Sequence, residues 1–196
     1  MDREQKKSWA RLMTAWNEDR VACHIYLARL YTQEYPDDMF GWIVLADALC
    51  AIASYGEAML ALRTARRLSP NDTLDFVYHQ TGHYYNVKGD YRRAEGWYRR
   101  AVHEKDTSRN LIFLGACLAK QGKYREAKQY HRRAIRDGSE LSDEAYFNLG
   151  LILRAEGKLH EALECLERAI EIDPKYTLAK KARKDIVTLL KLKEGI

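Results

Sequence analysis

Proline is scarce in this chain, with three residues in 196, and only eleven glycines accompany it. That excludes a collagen-like sequence and a Pro/Gly-rich linker. With 46% hydrophobic and 31% charged residues, the chain is also too apolar for a disordered one. Long apolar runs are missing. The best candidate, Trp42–Ala53, has twelve residues and is split by Asp47, whereas a bilayer-spanning helix needs about 20. No membrane association is expected. The first residues, Met1 to Lys7, lead into no apolar stretch, which predicts that a secretory signal is absent. Cysteine occurs at positions 23, 50, 117 and 165, without a C-x-x-C pair, so no redox motif or zinc knuckle is visible. Cys23, Cys50, Cys117 and Cys165 read as small buried thiols in a reducing compartment, the cytoplasm. The phosphate-loop, dinucleotide-loop and nucleophile-elbow motifs are missing as well, so no catalytic residue, cofactor or enzymatic activity is expected.

Charge is present and uneven. The chain carries a formal +5, but Lys88 to Arg136 alone holds 14 basic and 5 acidic residues, a net of +9. The remainder is net −4 by difference from the totals of 33 basic and 28 acidic. Such asymmetry steers acidic partners toward the middle of the chain.

The strongest pattern is a repeat. Trp42, Tyr78, Leu111 and Tyr146 open four segments spaced 36, 33 and 35 residues apart. The same spacing carries a small residue (Ala46, Gly82, Gly115, Gly150) and a ring or leucine (Tyr55, Tyr91, Tyr124, Leu159). It also carries two alanines, at Ala58, Ala94, Ala127 and Ala162, and at Ala65, Ala101, Ala134 and Ala169. Each position has a physical reason. The small residue lets a second helix approach closely. Gly89, Gly122 and Gly157 stand where the first helix should stop, and glycine accepts the left-handed cap cheaply. Pro70 and Pro174 block continuation of the second helix; Asp106 and Ser139 hold that offset in the other two units. Each unit is therefore a helical hairpin that cannot bury its apolar face alone. Stacking buries it.

The pattern resembles the tetratricopeptide repeat. The best copy reads Tyr146, Leu149, Gly150, Leu153, Gly157, Leu159, Ala162, Leu166, Ala169, Pro174, and the Trp42 copy is nearly as good. Thr81 and His131 depart from it, at positions where leucine and a buried aromatic are usual. The resemblance implies an all-α fold, a right-handed α-solenoid of about eleven helices and no strands. Residues 1–38 would form a degenerate N-terminal helix pair, with helices at Ser8–Trp16 and Asp19–Glu34. Residues 39–174 would hold four units, at about 39–72, 75–107, 108–141 and 143–176. Residues 177–196 would be a capping helix and tail, with Leu178, Ala182, Ile186 and Leu189 as its apolar stripe.

In that family the first helix of each unit lines a concave groove. Carried over by position, the groove residues are Phe40, Ile43 and Asp47; Phe76, His79, His83 and Asn86; Arg109, Ile112 and Lys120; and Phe147, Leu151 and Arg154. The resemblance thus implies a non-catalytic scaffold or adaptor; the sequence leaves its oligomeric state open, with a monomer favoured. Its groove would hold a protein or peptide, with apolar side chains docked and acidic groups near Arg109, Lys120 and Arg154. Asp47 stands where a chaperone-tail reader would need a carboxylate-binding residue, and it would repel that carboxylate. His79 and His83 have the i, i+4 spacing of helical metal ligands, but Gln80 occupies the place of a catalytic glutamate and no third ligand is evident, so they read as polar groove residues without a metal. The alternative function uses Arg92, Arg93, Arg99, Arg100, Arg132 and Arg133. These sit on second helices and would offer nucleic acid or an acidic surface an electrostatic outer face, with self-association through the end helices a third reading. A solvated convex face, supported by i, i+4 pairs Glu95–Arg99 and Glu164–Arg168, is the simpler account of the arginines.

Overall fold

A computed structural model describes residues 1–18, 20–136 and 141–194. Among them are eleven α-helices, one short 3-10 turn and no strand. In chain order these are α1 (Arg3–Asn17), α2 (Val21–Glu34), α3 (Met39–Ala51), α4 (Tyr55–Leu68), the turn Asn71–Thr73, α5 (Leu74–Val87), α6 (Tyr91–Glu104), α7 (Ser108–Lys120), α8 (Tyr124–Arg136), α9 (Ser142–Ala155), α10 (Leu159–Ile172) and α11 (Thr177–Glu194). The fold is all-α. Two compact units divide it, Met1–Glu104 and Lys105–Ile196.

Inside the first unit, α3 pairs with α4 and α5 with α6, and α2 packs on α3. The second unit pairs α7 with α8 and α9 with α10, and α11 lies on α10. The periodic alanines hold these pairs together. All eight are fully buried at the hairpin contacts, where a methyl group is the largest side chain that lets two backbones come close. The rings and leucine of the repeat, Tyr55, Tyr91, Tyr124 and Leu159, each begin a second helix. Three first-helix starts, α1, α3 and α7, are capped by side chains. Asp2, Asp38 and Thr107 accept hydrogen bonds from the amides of Gln5, Phe40 and Asn110, each of which relieves an orphan donor.

The first helices stop where the glycines stand. Gly89, Gly122 and Gly157 have φ of 82°, 73° and 77°. The first hairpin has Ala53 at this position, with φ 58°. An L-residue in that region costs about 1–2 kcal/mol, so the α3–α4 turn is the strained one of the set.

The ends depart from expectation. Helix α1 begins at Arg3 and not at Ser8, because Asp2 caps it and Gln5 donates to Tyr31 Oη and to Asp38. Helix α2 begins at Val21; Asp19 lies outside the described residues, as does Ser139. On α11 the buried stripe is Ala179, Ala182 and Ile186, whereas Leu178 and Leu189 are exposed. The helix is rotated so that two of the four expected core residues face water. Cys23 is exposed too, not buried; Cys50 and Cys117 are buried, and all four thiols are free.

Candidate inner faces of the two units

In the first unit, α3 and α5 present their side chains side by side. Phe40 and Phe76, one repeat apart, meet edge to face with ring centroids 5.8 Å apart, yet remain 40% and 39% exposed. Ile43 lies half-buried next on α3. One turn further, Asp47 accepts a 2.8 Å hydrogen bond from Gln80 Nε2 and faces His83 Nε2 at 3.5 Å. The helical spacing of 40, 43 and 47, and of 76, 80 and 83, puts all six on facing stripes. Asp47 charges its surroundings. Burial first, and then the Asp47 carboxylate, push the Cys50 thiol up to about 11. Burial lowers the His24 pKa while Asp47 opposes it. His79 turns its ring against Tyr98, at 5.6 Å, and Asn86 is half-buried at the end of α5. Sequence spacing did not single out Gln80 as a face residue, although its i, i+3 relation to His83 carries that signal.

The second unit places Arg109 and Lys120 on exposed positions of α7, and Arg154 exposed at the end of α9. Ile112 is 1% exposed and belongs to the packed interior, so it offers no surface of its own. Phe147 stacks obliquely on Tyr176, centroids 5.0 Å apart, and Leu151 is half-buried. Tyr176 precedes α11 and was not anticipated; only its place two residues beyond Pro174 hints at it. Glu144 adds an acid here. Burial and Asp143 raise its pKa, and Arg109 pulls it back. Burial, with Glu144 and Asp143, pushes the Tyr176 phenol up to about 12. The face is thus mixed: Arg109 has an acidic neighbour in Glu144, whereas Arg154 makes no ion pair among the described residues.

The second-helix arginines are engaged locally. Arg93 lies over Tyr85 and near Asp90, Arg99 pairs with Glu95 at 2.9 Å, and Arg100 stacks on Trp97 at 4.4 Å. Arg133 pairs with Asp106 and lies over Tyr130. Arg168 pairs with Glu171 at 2.7 Å and not with Glu164, so the expected i, i+4 pair is replaced by an i, i+3 pair. Among the described residues no group of three or more His, Cys, Asp or Glu is placed to hold a metal ion. No described helix is long and apolar enough to cross a membrane.

Comparison with known proteins agrees with this architecture. The family profile "Tetratricopeptide repeat" matches residues 143–176. Among solved structures, PilW, a type IV pilus biogenesis factor, is 14% identical over 98% of this chain and 94% of its own, with a TM-score of 0.75. TTC0263, a thermophilic tetratricopeptide protein of Thermus thermophilus, is 16% identical over 94% and 99%, with a TM-score of 0.74. YrrB, a tetratricopeptide protein with an unusual peptide-binding site, is 19% identical over 88% of both chains, with a TM-score of 0.60. No curated protein matches by sequence.

Proposed function

We propose that this chain, which carries a tetratricopeptide repeat at residues 143–176 and has the tetratricopeptide α-solenoid as its fold, is a non-catalytic scaffold whose first-helix faces hold a segment of another polypeptide. The observation that carries this reading is the Phe40–Phe76 pair. Two large rings at the same repeat position stand in contact, and more than a third of each remains in water. Ring pairs contribute about 0.5–1.5 kcal/mol beyond their burial, and covering the remaining area would add to that. Buried aromatic anchors are what dominate protein interfaces. Beside them, Asp47 with Gln80 and His83 supplies fixed polar groups that would orient a bound backbone or a basic side chain. In the second unit, Arg154 and Arg109 would receive acidic side chains, and Leu151 and Phe147 apolar ones.

The free thiols suit a reducing, cytoplasmic setting. The outer-face reading is weaker, because arginines 93, 99, 100 and 133 already have acidic or aromatic neighbours. Nucleic acid would have to displace these.

Peptides selected from a displayed random library on the immobilised chain test the proposal. Phe40→Ala with Phe76→Ala should weaken the selected peptides at least about tenfold, roughly 1.4 kcal/mol. Arg109→Glu with Arg154→Glu should weaken those that carry acidic residues. Arg92→Glu with Arg132→Glu, on the outer face, should leave affinity within about twofold. The opposite pattern, loss on the outer variant alone, would transfer the function to the arginine face.

A further inference from the structure

The C-terminal edge carries a cleft that none of the proposed first-helix face residues lines. It lies between α10 and α11 and has a volume of about 810 Å³. Ile170 and Val187 supply its apolar lining. Three lysines of α11, Lys180, Lys184 and Lys191, border it on one side. On the other side stand Glu167 and Glu171 of α10, and both are already engaged: Glu167 by Arg183 at 3.2 Å and Glu171 by Arg168 at 2.7 Å. The three lysines make no ion pair among the described residues. Their positions, i, i+4 and i+11, fall within about 40° of one another on the helix at 100° per residue, so they form one row. Along the axis they are separated by about 6 and 10.5 Å.

We propose that this cleft is a docking site for an acidic amphipathic helix from another protein. A helix laid beside α11 with carboxylates at i, i+4 and i+11 matches the lysine row charge for charge. Apolar residues at i+3, i+7 and i+10 of that helix form the adjoining stripe and reach Ile170 and Val187. This is helix-in-groove recognition. The geometry speaks against two other occupants. A second copy would bring its own α11, which holds six basic and two acidic residues, to the same row. A flat anionic membrane would press phosphates on Glu167 and Glu171 as well as on the lysines. The inference stands independently of the first-helix faces.

A fluorescent helical peptide with glutamate at i, i+4 and i+11 and leucine at i+3, i+7 and i+10 is the probe, read by anisotropy against the whole chain. Binding is expected, with affinity falling as salt rises. Lys180→Glu, Lys184→Glu and Lys191→Glu together should weaken it more than tenfold, and the three glutamine substitutions should weaken it less. Phe40→Ala with Phe76→Ala should leave it unchanged, which separates this site from the proposed peptide face. Four results would overturn the proposal: no binding, equal binding by the triple glutamate variant, equal binding of a peptide with glutamine in place of glutamate, or loss of the peptide on the Phe40/Phe76 variant. Light scattering and flotation with phosphatidylcholine–phosphatidylserine vesicles cover the other occupants. A dimer, or vesicle binding, that the triple variant abolishes while the peptide fails to bind would assign the cleft to a second copy or to a membrane instead.

Discussion

Gly82→Ala should destabilise the protein by about 2 kcal/mol, even though alanine is the better helix former by roughly 1 kcal/mol. A Cβ at Gly82 would stand 2.7 and 2.8 Å from two carbons of the Tyr98 ring, and that ring is completely buried. Nothing flexible can give way. At about 2–4 °C per kcal/mol for a chain of this size, the melting temperature should fall by roughly 4–8 °C. The chain itself contains the compensating solution. One repeat earlier the corresponding pair is Ala46 over Leu62, both buried. Gly82→Ala combined with Tyr98→Leu should therefore recover much of the loss, and the two changes should show a favourable coupling in a double-mutant cycle. Gly96→Ala is the control. It lies within α6 with nothing within 4 Å of its added carbon, so it should gain about 0.5–1 kcal/mol. Equal effects at Gly82 and Gly96 would contradict the close packing of α5 on α6.

The second large effect is acid sensitivity at His131. The imidazole is fully buried, and neither ring nitrogen has a hydrogen-bond partner. It lies under Gly115, where an added Cβ would be 2.8 Å from the ring. Burial pushes its pKa down to about 4 from 6.5. The sign follows from linkage: in the unfolded chain His131 binds a proton near pH 6.5, and in the folded one only near pH 4. Stability is therefore complete above about pH 6.5 and declines as pH falls toward 4, by about 3 kcal/mol. His24, also lowered by burial, acts in the same direction. Glu144, raised by burial, acts against it at lower pH. His131→Leu isolates the term, because leucine is what the fourth unit has at this position, as buried Leu166. Urea unfolding at pH 7 and pH 4.5 should show the wild type losing stability that the variant keeps. At pH 7 the variant should also gain, by about 1–3 kcal/mol, from no longer burying two unpaired nitrogens. Parallel losses in both proteins would place the acid sensitivity elsewhere.

Much of the fold was legible because the repeat constrains each position several times over. Ala58, Ala94, Ala127 and Ala162 occur once per unit and are all fully buried, so a misreading at one copy would be corrected by the others. His131 is a departure from the repeat, yet it occupies the buried slot that the register assigns to it. The ends have no such redundancy. On α11 an offset of one residue turns the helix face by about 100°, and with packing from one side only, Leu178 and Ala179 are comparable candidates for the core. At Ala53 the strain is visible only in its φ, although the register with Gly89 points to it. For the proposed faces, the repeat register supplies candidate positions only, and Ile112 among them is packed in the interior. Their contact partners were not legible. Asp47 with Gln80 and His83, and Phe147 with Tyr176, are contacts between residues far apart in the chain, chosen by packing and not by spacing.

The central claim is that the first helices of the hairpins, not the second, grip another polypeptide. Amide hydrogen exchange tests it directly, using a library-selected peptide bound to the chain carrying Lys180→Glu, Lys184→Glu and Lys191→Glu, so that the terminal cleft is disabled. Slowed exchange in α3 and α5, or in α7 and α9, with α4, α6 and α8 unchanged, is the predicted footprint. Protection confined to α4, α6 and α8 would contradict it.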